Sequence, residues 1–60
     1  MQKDIRDRFN KYLDETGARM NVIGKNLNIP DYILGKFRRG MNMWEDQCIR
    51  LSKWMEKQNY

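Results

Sequence analysis

Sixty residues, 40% hydrophobic and 33% charged with a formal net charge of +4, make one domain with one core, near the lower size at which a chain folds without staples. That balance is globular rather than disordered, and the longest apolar run, Tyr32-Ile33-Leu34, excludes a membrane span. With no histidine and a lone cysteine, Cys48, the sequence has no parts for a zinc site, an internal disulfide or a histidine-assisted nucleophile, and no glycine-rich phosphate loop.

The expectation is therefore a binding protein without metal or small-molecule cofactor rather than an enzyme. The absence of an apolar segment behind the basic first residues argues against a signal peptide. Unpaired cysteine usage suits a reducing, cytoplasmic setting.

Ile5, Phe9, Tyr12 and Leu13 fall at i, i+4, i+7 and i+8, so residues 3–16 are predicted to form a first amphipathic helix, ended by Gly17. A second helix is expected over about 20–27, where Ile23 and Leu27 share a face. Gly24, between them, leaves room for another helix to cross closely. Asn28 tolerates a left-handed turn, Ile29 re-enters the interior, and Pro30 suits the first turn of a third helix over about 30–39. Leu34 and Phe37 face inward, and Gly40 stops that helix. Asn42 with Glu45 three residues on resembles a capping box for a fourth helix. Trp44, Cys48, Leu51 and Met55 are its expected inward stripe, and 57–60 are expected to fray.

The fold class predicted is all-α, four or five helices in a single domain over 1–60, with a helix-turn-helix at about 19–40. The expected core is Ile5, Phe9, Leu13, Ile23, Leu27, Ile29, Leu34, Phe37, Cys48, Leu51 and Met55.

Charge is distributed unevenly. Residues 1–15 and 41–60 are each neutral, whereas 16–40 carry Arg19, Lys25, Lys36, Arg38 and Arg39 against Asp31 alone. The whole excess of +4 lies on the two-helix segment. A clustered positive field is what phosphate binding requires, because each neutralised phosphate releases condensed counterions.

From Gly17 to Gly40 the chain resembles the lambda repressor and Cro family of small regulators. The likeness rests on Ile23-Gly24 in the second helix, Asn28 followed by Ile29 at the turn, Leu34 and Phe37 three apart, and Gly40 at the close, with no insertion or deletion. Family membership would imply a lambda repressor-like domain that binds double-stranded DNA as a transcriptional regulator, and an origin in a phage or mobile element. The resemblance implies base-edge contacts from Asp31, Tyr32 and Lys36, with Ile33 and Gly35 on or near that surface. It implies phosphate contacts from Arg19, Met20, Arg39 and Asn42, with Arg38 beside them. Phosphate contacts fix the dock, and base-edge contacts give the sequence preference. A homodimer on inverted half-sites is implied as well, with the C-terminal helix region around Ile49 and Trp54 as the pairing surface.

Plainer readings stand beside these. Lys36 also suits a solvated helix surface, Arg38 and Arg39 suit the C-terminal dipole of their own helix, and Tyr32 suits a ring laid along the domain. Asp31 brings an anion to the groove entrance, Gly35 weakens the reading helix, and Met20 offers only a backbone donor. These departures, with an exposed patch expected at Trp54, motivate a rival: a protein-binding module on the same fold, such as an antirepressor or anti-CRISPR-type inhibitor.

Overall fold

The computed structural model describes residues 2–60, which form α1 (Gln2–Thr16), α2 (Met20–Leu27), α3 (Asp31–Arg38) and α4 (Glu45–Lys57), with no strand among the described residues. In α1, Ile5, Phe9 and Leu13 recur every four residues, so all three are buried on one face. In α4, Cys48, Leu51 and Met55 do the same. α1 packs against α3 and α4, and α2 packs against the same two helices.

Phe9 and Phe37 meet at the centre, ring centroids 6.2 Å apart and tilted by 45°, and both are sealed from solvent together with Leu34, Leu51 and Met55. Every residue expected in the core is buried except Leu27, which is half-buried at the last position of α2, where the chain turns away. Met43, from the segment between α3 and α4, fills the core instead. Cys48 is 2% exposed, and burial pushes its thiol pKa up. It is a small core hydrophobe that stays protonated.

All four helices stop at a residue with positive φ: Gly17 (69°), Asn28 (56°), Gly40 (119°) and Asn59 (64°). Beyond three of these, the next N–H reaches back across the last turn: Ile29 to the Gly24 carbonyl at 2.9 Å, Met41 to Lys36 at 3.0 Å and Tyr60 to Met55 at 2.9 Å. These bonds satisfy carbonyls that a helix end leaves open, and they turn the following side chain back onto the domain.

The expectation that 57–60 fray is therefore corrected. Tyr60 is docked, its ring edge-on to Tyr12 with centroids 5.0 Å apart, and its hydroxyl donates to Glu15 Oε1 at 2.8 Å. Trp54 also packs edge-on against Tyr12, at 5.1 Å, and is half-buried rather than part of an exposed patch.

The Glu15 contact raises the Tyr60 pKa above its ordinary value of 10.0. The protonated phenol is the donor, so this contribution is fully present below the unfolded-state pKa and is lost as pH rises through the raised one. Wild type is expected to lose more melting temperature than Tyr60→Phe between pH 8 and pH 11. Equal losses would show that the contact does not stabilise the fold.

Three arginines complete other helices' ends. Arg6 Nε donates to the Phe37 carbonyl at 2.6 Å, and its guanidinium lies 4.7 Å from the Phe37 ring centroid. Arg50 Nη1 donates to the Leu27 carbonyl at 3.0 Å. Arg8 Nε donates to the Tyr60 main-chain oxygen at 2.6 Å. The segment after α3 is tied down by Gln2, whose amide donates to the Met43 carbonyl and accepts from the Met43 N–H, both at 2.9 Å.

The cap of α4 differs from the Asn42–Glu45 box read in the sequence. Trp44 is the N-cap residue, and its N–H donates to Gln47 Oε1 at 3.3 Å, while the Asn42 side chain is engaged by Arg6. Trp44 consequently stands outside the helix it precedes. Its ring is 76% exposed rather than in the core.

Candidate functional site

α2 and α3 cross closely because Gly24 is buried at their junction, where a side-chain carbon would collide with the Ile29 carbonyl oxygen. Asn28 makes the reversal in the left-handed region (φ 56°, ψ 44°). Ile29 then sinks to 2% exposure, beside Ile23 in the same core cluster. Pro30, at φ −56° and ψ 139°, precedes α3, and its carbonyl accepts from the N–H groups of Ile33 at 3.0 Å and Leu34 at 3.4 Å. Leu34 and Phe37 pin the inner side of α3 to the core.

The outer side of α3 follows from that anchoring. Tyr32, Lys36 and Arg39 are spaced i, i+4 and i+7, so they form one stripe, and all three are exposed. Tyr32 is 61% exposed, and the Lys36 ammonium lies 5.6 Å from its ring centroid. Asp31 is exposed at the start of the helix, and Ile33 is half-buried.

Gly35 belongs to the same stripe but is not surface. It is buried, with Arg39 Nη1 lying 3.6 Å from where a Cβ would project. The expectation that it faces outward is corrected: a residue without a side chain is covered by its longer neighbours.

Among the positions expected to meet phosphate, Arg19 is exposed at the N-cap of α2 with extended backbone (φ −96°, ψ 133°), and no side chain caps that end. Its carbonyl accepts from Ile23 N–H at 3.2 Å. The earlier N–H groups of the first turn therefore point outward with the positive end of the helix dipole. Met20 is half-buried and packs against the core, which leaves its backbone N–H as the group it can present.

Arg39 is exposed. Arg38 is not available in the same way, since its Nη2 pairs with Asp14 Oδ1 at 2.7 Å. Asn42 is exposed, and its Oδ1 accepts from Arg6 Nη2 at 2.9 Å, which turns its NH2 outward as a donor.

Arg19, Lys25, Lys36 and Arg39 are thus exposed and enter no ion pair among the described residues, while Asp31 is the one acid between them in sequence. Reading the sequence did not find Arg6, Arg8, Arg50 or Gln2 as the groups that fix this surface in place. The only local signal of the three arginines is charge balance with nearby carboxylates, which gives no hint that their donors reach carbonyls in distant parts of the chain, and Gln2 carries no local signal at all.

Within the described residues no three histidine, cysteine, aspartate or glutamate side chains gather as a metal site, and no helix is long and apolar enough to cross a membrane. The chain matches no protein-family model, no curated protein and no solved structure.

Proposed function

We propose that this protein binds double-stranded DNA, with α3 entering the major groove and the start of α2 braced on a phosphate, as a small helix-turn-helix regulator of transcription. The observation that carries the reading is that four exposed cations without an ion pair among the described residues, Arg19, Lys25, Lys36 and Arg39, lie on α2, α3 and their caps, with Asp31 as the one acid there. The exposed Lys11, Lys53 and Lys57 stand instead in stretches of balanced charge. Tyr32, Lys36 and Asp31 would meet base edges, Lys36 as a donor to guanine and Asp31 as an acceptor from cytosine. Arg19, the Met20 N–H, Arg39 and the Asn42 amide would hold phosphates. Arg38 contributes less, because its guanidinium is committed to Asp14.

One such module reads few base pairs, so two copies on inverted half-sites about 34 Å apart are expected to give useful specificity. Ile49, 41% exposed on α4, remains the apolar residue of the expected pairing surface, since Trp54 is folded against Tyr12.

Neutralising about four phosphates gives a salt exponent near −3.6, which amounts to about a hundredfold loss of duplex affinity between 50 and 200 mM salt. An amide-shift titration with random duplex at two salt concentrations tests this, with the shifts expected on α2 and α3. Lys36→Ala should flatten sequence preference, whereas Arg39→Ala should weaken all duplexes about equally and lower the salt exponent by about one. No duplex binding at low salt would overturn the proposal. A salt-tolerant complex with a protein, and no duplex shift, would favour the protein-binding module.

A further inference from the structure

A second surface lies beside the outer stripe of α3; it shares Tyr32, Lys36 and Asn42 with the duplex reading above and adds Met43, Trp44 and Gln47, which that reading leaves unused. A groove of about 340 Å³ opens between the start of α3 and the segment leading into α4, lined by Pro30, Tyr32, Ile33, Met43, Trp44 and the amides of Asn42 and Gln47. That volume is at the small end of the range for sites that hold a small organic group, about 300–1,000 Å³.

Two of its walls are aromatic and unusually exposed, Tyr32 at 61% and Trp44 at 76%. Trp44 is not on a loose tether. Its N–H is held by Gln47 and its carbonyl accepts from Cys48 N–H at 3.0 Å, and the neighbouring Met43 backbone is clamped from both sides by Gln2. A large apolar ring fixed in solvent contact serves no packing purpose in this fold.

The polar groups of the groove have a definite sense. Asn42 Oδ1 is occupied by Arg6, and Gln47 Oε1 by the Trp44 N–H. Each amide is thereby oriented with its NH2 left to donate. The lining contains no carboxylate, and the Lys36 ammonium stands at the Tyr32 ring.

We propose that this groove takes an unpaired nucleobase of a single-stranded nucleic acid, and specifically a carbonyl-rich pyrimidine, thymine or uracil. Tyr32 and Trp44 supply the surface on which a base stacks. The amide NH2 groups of Asn42 and Gln47 donate to the base carbonyls, and Lys36 meets the adjoining phosphate. An acidic partner would leave the aromatic faces of Tyr32 and Trp44 unmatched, and a purely aliphatic one the amide donors and the cation. A base on its sugar–phosphate satisfies all three.

The site is tested in the full chain carrying Trp54→Phe, so that the remaining indole reports on Trp44 alone. Addition of a short oligothymidylate at low salt is expected to quench its emission, because stacking on a base deactivates the excited ring. Trp44→Ala, at a position open enough not to disturb the fold, is expected to weaken oligothymidylate binding about tenfold, in line with loss of one stacked base, and to leave random-duplex binding unchanged. Oligoadenylate should bind several-fold more weakly than oligothymidylate.

Absence of quenching would overturn the proposal, as would equal affinity of Trp44→Ala and its parent. Equal binding of the two oligonucleotides would overturn the assignment to a carbonyl-rich base. Because the duplex titration reads Lys36 and Arg39 while this one reads Trp44, either proposal can fail with the other intact.

Discussion

Gly24→Ala is expected to destabilise the protein by about 2–3 kcal/mol, the cost of forcing a methyl group into a closed contact after allowing for the better helix propensity of alanine. The added carbon would collide with the Ile29 carbonyl oxygen, which is backbone and already accepts the geometry of a turn fixed by Asn28 and Pro30. A flexible side chain could swing aside; this oxygen cannot move without shifting the start of α3. For a domain this small, total stability is of order 3–9 kcal/mol, so the melting temperature should fall by about 10–20 °C.

Gly35→Ala is the matched comparison. It lies in the next helix, and its new carbon would meet only the Arg39 guanidinium, at 3.6 Å, an ordinary contact with the end of a flexible chain. That variant should gain about 1 kcal/mol from helix propensity. Thermal melts of the two proteins decide the matter. Similar melting temperatures would mean that the α2–α3 crossing is looser than described.

Arg6→Ala is expected to cost a comparable 2–3 kcal/mol, although the residue lies on α1 in a stretch of balanced charge. Its guanidinium bonds the Phe37 carbonyl and the Asn42 side chain and covers the Phe37 ring. Removing it takes the shorter of the two bonds from the Phe37 carbonyl, which keeps only the Gly40 N–H at 3.1 Å, and uncovers the aromatic centre of the core. Arg6→Lys keeps the charge but loses the planar fork that serves two acceptors at once, so it should recover only part of the loss. Denaturant titration of Arg6→Ala, Asn42→Ala and the double variant separates the two bonds. The Asn42 loss alone should be small, because that contact is exposed. If Arg6→Ala unfolds at the wild-type midpoint, the guanidinium is not closing α3.

How far the sequence reveals this arrangement depends on the range over which each interaction acts. The helices and their buried faces were legible because helix period and turn chemistry are local: Ile5, Phe9 and Leu13, or Ile23 and Ile29 around Asn28, declare themselves within a few residues. Met43 and Trp44 were not. They sit in the irregular segment before α4, where no period applies, and which of the two turns inward is decided by Gln2, 41 residues from Met43.

The docking of Tyr60 has no local sequence signal, because its partners, Tyr12 and Glu15, lie at the far end of the chain. On the candidate site, the exposure of Tyr32, Lys36 and Arg39 followed from the inward Leu34 and Phe37. The loss of Arg38 to Asp14 and the covering of Gly35 by Arg39 did not, since both depend on where long side chains come to rest.

The arginine-closed helix ends have a consequence for how the molecule comes apart. α2 finishes on a donor from α4, α3 on a donor from α1, and the end of α4 on a donor from α1. α1 closes its own end, the Gly17 N–H donating to the Leu13 carbonyl at 3.0 Å. In contrast, α2, α3 and α4 are finished by their neighbours, so none of these three should survive the neighbours' loss. Amide protons in the inner turns of α1, α3 and α4 are therefore expected to exchange with solvent at a common free energy equal to that of global unfolding, rather than in a graded series from end to end. Peptides cut at Gly17 or Gly40 should be largely unstructured alone and regain helix only when mixed.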